Sequence, residues 1–212
     1  MKLILQGYSG KMGKVVYEYL KKRGHEFCGL FDENNVVIED AFETCDAIID
    51  FSNIEAAKKI FDLAIIYKKP IIIGTTGFNE SQIKIMEQMA SDAEISAYLV
   101  FNFLPSIKIL KDTIESLDDS HDKVYLSETH HESKKDSPSG TAKYLLENLS
   151  NNKVQILSKR VPYLVYEHHI EMINEFESIE IIHKCYNKIG YAKGVEKALQ
   201  TLGTFVGLRR HI

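Results

Sequence analysis

A chain of 212 residues, 44% hydrophobic and 26% charged, has room for one good-sized domain or two small ones, and shows neither the polar bias of a disordered chain nor a fibrous repeat. With 26 basic and 30 acidic side chains its formal net charge is -4, which gives the molecule as a whole no long-range pull on nucleic acid. Cys28, Cys45 and Cys185 are odd in number, widely spaced and set in apolar runs, so they read as reduced thiols of a cytoplasmic protein without a zinc pattern, and no apolar run is long enough for a membrane span.

Residues 2–6 read as a strand, too short for a signal peptide. Residues 12–23 follow as a helix, with Met12, Val15, Val16, Tyr19 and Leu20 at a helical period and Gly24 ending it. Strands are predicted at 27–31 and 47–51. A helix over 54–68 sets Ile54, Ala57, Ile60, Phe61, Ala64 and Ile65 on one side. Residues 70–73 form an all-apolar strand of the kind buried on both faces of a parallel sheet. A helix at 80–91 and a strand at 95–101 complete the pattern. This alternation predicts an α/β, Rossmann-like dinucleotide-binding domain over residues 1–102, with right-handed crossovers.

After Pro105 the pattern changes. A helix is predicted over 107–117, a strand over 123–130, and a turn leading into a helix over 137–149. Strands follow at 154–157, 168–174 and 178–185, the last two as antiparallel neighbours. Residues 103–187 therefore read as a second, smaller α+β domain for substrate. A final helix over 191–206 places Ala192, Val195, Ala198, Leu199 and Leu202 on one face.

The turn Gly7-Tyr8-Ser9-Gly10-Lys11-Met12-Gly13 joins the first strand to the first helix. Glycines there give a tight turn and a close backbone approach to a pyrophosphate, which the helix N-terminus then receives. Glycines also mark ordinary turns; the placement of this run at the start of a βαβ unit ending in Asp32 favours the cofactor reading. Asp32 would accept hydrogen bonds from ribose hydroxyls. Its neighbour is Glu33 and not an arginine, which favours NADH over NADPH, although Lys11 offsets part of the repulsion. Two more loops fall at strand carboxyl ends and join the candidate cofactor site. They are Asp50-Phe51-Ser52, where Ser52 could equally cap the next helix, and Gly74-Thr75-Thr76-Gly77.

The most chemically loaded stretch runs from Glu128 to Ala142 and contains His130, His131, Lys134, Lys135 and Ser139-Gly140-Thr141. Histidine and lysine beside a helix start suit a compact carboxylate-bearing molecule, and either can donate a proton. The plain alternative is a solvated charged loop. No metal site is expected, because adjacent histidines on a strand point to opposite faces and the HExxH spacing is absent.

On these residues the chain resembles the dihydrodipicolinate reductase family. The carriers are Gly7 to Gly13, Gly74-Thr75-Thr76-Gly77 and His130-His131-x-x-Lys134-x-Asp136-x-Pro138-Ser139-Gly140-Thr141, with weaker echoes at Arg160, Glu167-His168 and His183-Lys184. The resemblance implies reduction of the cyclic product of dihydrodipicolinate synthase to tetrahydrodipicolinate in lysine and diaminopimelate synthesis. Hydride would come from NADH or NADPH, with His130 as general acid and Lys134 as partner proton donor. It further implies that His131, Lys134, Ser139, Gly140 and Thr141 hold a carboxylate of a small dicarboxylate substrate. Asn102-Phe103 would lie beside the cofactor where the chain crosses to the second domain. Helix 188–212 would return to the first domain, and four chains would assemble as a homotetramer. The chain departs from the family's pattern at Leu104 and at residues 162–166. A non-catalytic dinucleotide sensor, or a reductase of another small carboxylate, is the rival reading; His130 and Lys134 together count against a sensor.

Overall fold

A computed structural model describes residues 1–33, 38, 40–132, 134–149, 153–163 and 166–210. In chain order the elements are β1 (Lys2–Gln6), α1 (Lys11–Lys22), β2 (Glu26–Phe31), α2 (Asp40–Thr44), β3 (Ala47–Asp50), α3 (Ile54–Ile66), β4 (Ile71–Ile73), α4 (Glu80–Asp92) and β5 (Ser96–Leu99). They continue with α5 (Pro105–Leu117), a 3₁₀ turn (Asp118–Ser120), β6 (Lys123–His131), α6 (Gly140–Leu146), β7 (Val154–Val161), β8 (Tyr166–Ile173), β9 (Ser178–Lys184), α7 (Ile189–Thr201) and β10 (Gly207–Arg209). The chain divides into two compact units, Met1–Leu104 with Lys188–Ile212, and Pro105–Asn187. Among the described residues no helix is long and apolar enough to cross a membrane.

In the first unit every strand pairing is parallel and the sheet order is β10-β5-β4-β3-β1-β2. Successive strand residues face opposite sides, so each strand feeds two cores. Ile4, Ile48, Ile71 and Ile73 pack with Ile60 and Phe61 of α3 and Ile83 of α4. Leu3, Leu5, Ile49 and Ile72 pack with Val16 and Leu20 of α1 and Val195 and Leu199 of α7. Helices therefore cover both faces, as the all-apolar β3 and β4 require. The chain winds outward in both directions from β1 and β3, and this reversal opens a crevice beyond their carboxyl ends.

Helix α7 lies along α1, where Glu196 accepts from Tyr19 Oη at 2.8 Å and pairs with Arg23 Nε at 2.9 Å. It is shorter than the 191–206 expected from periodicity, since Gly203 takes a positive φ of +90° and ends it. The chain then forms β10, an edge strand of three residues whose Gly207 N–H donates to Ile95 O at 2.9 Å. Neither β10 nor α2 was expected, because three and five residues are too few to show a period.

The second unit holds a four-stranded sheet in the order β7-β6-β8-β9; β6 runs parallel to β7 and antiparallel to β8, and β8 antiparallel to β9. Val124, Leu126, Glu128 and His130 form the buried row of β6, and His168, Ile170 and Met172 that of β8. The apolar residues Ile107, Leu110 and Ile114 of α5 and Leu145 of α6 are buried as well. Lys111 ties the two helices, donating to Tyr144 O at 3.0 Å and pairing with Glu115 at 2.7 Å. The opposite sheet face, with Tyr125, Leu157 and Ile182, stays accessible. Strand β7 runs four residues past the expected 154–157, because β6 continues beside it to the pair His131–Val161. Its polar end, Ser158-Lys159-Arg160, hides that continuation in the sequence. Of the departing loop 162–166, Leu164 and Val165 lie outside the described residues.

One close approach fixes α7 against the chain that leaves β5. A Cβ on Gly194 would stand 1.8 Å from Phe103 O, so any larger residue must push the helix away. Gly194→Ala is expected to cost about 2 kcal/mol and lower the melting temperature by roughly 4–8 °C, read by thermal unfolding. An unchanged melting temperature would mean that α7 is not seated there.

Candidate functional site

In the first unit the glycine turn is dictated by backbone crowding. Gly7 has a φ of +79°, and a Cβ on it would lie 2.4 Å from Phe51 O. A Cβ on Gly13 would lie 2.0 Å from Gly7 O, whereas one on Gly10 would meet nothing closer than 3.2 Å. The first and third glycines are thus needed by the fold itself, where β1 passes β3 and enters α1. Helices α3 and α4 have Asn53 and Asn79 as side-chain caps, but α1 begins at Gly10 with no side-chain cap and no acid in its first turn. Ser9, Gly10 and Lys11 are exposed at that end. An uncapped helix start of this kind fits the phosphates of a dinucleotide.

Beside it lies a crevice of about 920 Å³ that brings together Met12, Phe51, Ser52, Gly74, Thr75 and Thr76. Gly74 is small because the Phe51 and Phe103 rings meet there; a Cβ would stand 2.3 Å from the first and 2.9 Å from the second. Those rings lie 5.3 Å apart. Asn102 sits half-buried next to Phe103, its Oδ1 accepting from Leu104 N–H at 2.9 Å. Asp32 is half-buried at the end of β2, with Glu33 exposed beside it.

The organiser of these loops is Asp50, which the sequence showed only as the first residue of one of them, with no role of its own. Asp50, fully buried at the end of β3, accepts from Ser52 Oγ, from Ser52 N–H at 3.2 Å and from Thr75 Oγ1 at 2.5 Å. Ser52 N–H also reaches Thr75 Oγ1 at 3.0 Å. Ser52 is therefore not the cap of α3, a task that falls to Asn53, whose side chain accepts from Ala56 N–H at 3.0 Å. Burial pushes the Asp50 carboxyl up to about 6, with the hydrogen bonds from Ser52 and Thr75 pulling the other way.

In the second unit, the strand period puts Glu128 and His130 on the buried face of β6 and His131 on the other. The two histidines thus face opposite ways, as neighbours on a strand are expected to, although both were named as site residues. Lys134 follows on the loop, paired with Asp136 at 2.8 Å. Helix α6 is only seven residues long, shorter than expected, and its first N–H groups already have acceptors in the chain. Ser139 N–H donates to Glu128 Oε1 at 3.0 Å, Gly140 N–H to Asp136 Oδ2 at 3.2 Å, and Ala142 N–H to Ser139 Oγ at 3.1 Å. Thr141 is buried behind them. Arg160 clamps the loop, donating to Lys134 O at 3.3 Å and Asp136 O at 2.5 Å while its Nη2 reaches Glu128 Oε1 at 3.3 Å.

Cross-strand pairing adds His168 opposite Glu128 and His183 opposite His168. The His130 and His168 rings lie 5.4 Å apart, those of His168 and His183 5.8 Å. Burial, then the neighbouring His130 and His183, push the His168 imidazole down to about 3, so it is neutral at working pH. Burial also lowers His130, against the pull of Glu128 toward the charged form. Burial would raise the Glu128 carboxyl, but hydrogen bonds from Ser139 and Ser158 outweigh it and hold the group below the usual carboxylate range. Glu128 was readable from its place two residues before His130; His168 and His183 needed the register.

The sequence profile of the family described as "Dihydrodipicolinate reductase, N-terminus" matches residues 1–103, and that of "Dihydrodipicolinate reductase, C-terminus" matches residues 106–210. The chain is 34% identical over 202 residues to a 4-hydroxy-tetrahydrodipicolinate reductase of Thermosipho africanus, covering 93% of this chain and 89% of that one. It is 31% identical over 216 residues to the enzyme of the same name from Rickettsia bellii, covering 92% and 86%. In fold it is similar to a dipicolinate-bound dihydrodipicolinate reductase from Paenisporosarcina sp. TG-14, with TM-score 0.82, 18% identity, and 100% and 97% coverage. A probable dehydrogenase from Thermotoga maritima also shares the fold, with TM-score 0.71, 12% identity, and 96% and 89% coverage.

The buried Asp50 has a consequence for pH. Its folded value of about 6 lies above the ordinary carboxylate value of 3.8. The stability it confers is therefore complete below the unfolded value and is lost as pH rises toward 6 and beyond. Relative to Asp50→Asn, the wild type should gain roughly 1 kcal/mol between pH 7.5 and pH 5, read as a pH-dependent gap in melting temperature. A gap that does not change with pH would show that Asp50 keeps one protonation state throughout.

Proposed function

The chain belongs to the dihydrodipicolinate reductase family, and from that premise we propose that it reduces 4-hydroxy-tetrahydrodipicolinate to tetrahydrodipicolinate in lysine and diaminopimelate synthesis. The observation that carries this reading is the pairing of a buried His130 with Lys134 on the next loop, in a unit distinct from the one with the dinucleotide crevice.

The first unit is the proposed cofactor site. Gly7, Gly10 and Gly13 let the chain approach the pyrophosphate, and the α1 N-terminus receives its charge. Phe51, Ser52, Gly74, Thr75 and Thr76 line the crevice, Asp50 holds two of those loops in place, and Asn102 and Phe103 are proposed as further cofactor contacts. Asp32 takes the ribose hydroxyls and, with Glu33 beside it, repels a 2′-phosphate, so NADH is the proposed cofactor over NADPH. Bound there, the cofactor supplies a hydride.

The second unit is the proposed acceptor site. Lys134 and the Ser139-Gly140-Thr141 segment take a ring carboxylate, which replaces the Asp136 carboxylate on Lys134 Nζ and Gly140 N–H. His130 gives a proton to the ring where negative charge develops on hydride arrival, and Lys134 stabilises the same charge. His131, on the opposite face of β6 from His130, is the weakest of the proposed substrate ligands. The accessible sheet face of this unit is the proposed contact for a homotetramer, and the proposed compartment is the cytoplasm.

Purified protein mixed with freshly generated synthase product is expected to oxidise NADH faster than NADPH, followed at the absorbance band of the reduced cofactor. Protein that binds NADH but oxidises neither cofactor would remove the reductase reading. Lys134→Ala is expected to keep its NADH affinity and lose roughly tenfold to a hundredfold in kcat. A parallel loss of NADH affinity would place that lysine in the wrong site.

A further inference from the structure

Removing an ionised carboxylate from water costs several kcal/mol unless donors surround it. Glu128 is fully buried, and its two oxygens are treated differently. Oε1 accepts from Ser139 N–H at 3.0 Å, Ser158 Oγ at 2.8 Å and Arg160 Nη2 at 3.3 Å. Oε2 has no hydrogen-bond partner among the described residues, and neither has His130 Nδ1, which lies 3.5 Å from it. One oxygen is saturated while the other faces a nitrogen that lacks a partner. A proton on His130 Nδ1, facing Oε2 at 3.5 Å, gives each of the two atoms a partner.

We propose that Glu128 is the positioning residue of the reductase site: Oε2 holds a proton on His130 Nδ1, so that the imidazolium passes its Nε2 proton to substrate and is left neutral with Nδ1 protonated, and Oε1 holds the Lys134–Thr141 loop in register with that ring. The inference rests on the reductase reading and adds a residue to it. The orienting carboxylate of a catalytic histidine has the same duty, fixing the tautomer and stabilising the imidazolium without itself taking the proton. Through Arg160 the same carboxylate reaches the carbonyls of Lys134 and Asp136, so proton donor and carboxylate binder share one anchor.

The groups facing His130 come from every element around it. Glu128 is on its own strand, Tyr166 and His168 are on β8, Arg160 is on β7, and Lys134 and Asp136 are on the loop; His183 of β9 stands behind His168. Glu128 and Asp136 favour the charged ring, whereas burial, Lys134 and Arg160 oppose it. His168 is held neutral and does not compete for the proton. Glu128, His130 and His168 also offer donor atoms within 4.8 Å of one another, a grouping that could hold a metal ion. Arg160 and Lys134 already balance Glu128 and Asp136 in charge, so a proton adds one positive charge where a divalent ion would add two in a buried place. That favours the proton.

Histidine-selective ¹⁵N NMR of the wild-type protein tests the tautomer directly. The neutral His130 ring is expected to carry its proton on Nδ1, and Glu128→Gln, which turns an amide toward that nitrogen, to move it to Nε2. In the same variant kcat should fall roughly tenfold or more, and the alkaline limb of its pH profile should move about one unit to lower pH. NADH affinity should be unchanged. A pH-independent loss of kcat with an unmoved tautomer would reduce Glu128 to a structural part and overturn the proposal. Should the variant not fold, the wild-type spectrum decides alone: a bare Nδ1 overturns it. One tightly bound equivalent of zinc, lost in His168→Ala, would also overturn it in favour of a metal site. Absence of turnover in the wild type, with Nδ1 protonated, would instead remove the reductase reading while leaving the Glu128–His130 contact established.

Discussion

A carboxylate taken out of water has to be surrounded by donors, and in this protein that demand is met at two places that decide where the functional loops go. Asp50 ends β3 in the first unit and Glu128 lies on β6 in the second; both are fully buried. Asp50 draws Ser52 and Thr75 toward itself from the loops after two neighbouring strands, giving the proposed cofactor crevice its wall. Glu128 draws in Ser139 from the start of α6 and Ser158 and Arg160 from β7. In each case residues far apart in sequence converge because a charge would otherwise be left without partners.

The two carboxylates resolve that demand in opposite ways. Among the described residues Asp50 has hydroxyl and amide donors and no cation in contact, so burial outweighs them and its value is raised. Glu128 has comparable donors and Arg160 besides, and it stays ionised. At about 6, Asp50 holds its proton below that pH and carries its charge at neutral pH, balanced there by the Ser52 and Thr75 donors. An ionised Glu128 suits the proposed role of His130 as a proton carrier. The difference lies in the neighbours, since the side chains differ by a single methylene.

The sequence exposes those parts of the molecule that are periodic or contiguous. Strands β1 to β5 and helices α1, α3 and α4 were legible because apolar residues repeat at the right spacing, and Gly7 to Gly13 and His130 to Thr141 were legible because each is a single run. The opening of β6 was legible from alternation, yet its parallel pairing with β7 was not, since nothing local to Val154–Val161 names a partner. Asp50 was in view as one residue of a loop, but its importance depends on Thr75, twenty-five residues away, reaching it from the next strand. His168 and His183 join the second site only through the register of three strands. Helix α6 went the other way: read as an anion-binding helix start, it proves short, with its first N–H groups taken by Glu128, Asp136 and Ser139.

Those occupied N–H groups bear on how the proposed substrate would enter. The Lys134–Asp136 pair has side chains 30% and 47% exposed, and an ion pair so placed contributes little to stability and exchanges readily. Arg160 and Glu128, at 21% and 0%, form a pair that is costly to part, because separating them would strand a buried charge. Both pairs meet in one loop. A dicarboxylate arriving there meets one cation whose present partner can be displaced and another whose partner cannot, so the exchange is confined to Lys134 and Gly140 N–H. The loop keeps its shape because Arg160 does not let go of the Lys134 and Asp136 carbonyls. In the proposed carboxylate site, an exchangeable pair held on a fixed one would make Asp136 the resting occupant, partnering a cation and an amide until the substrate anion replaces it.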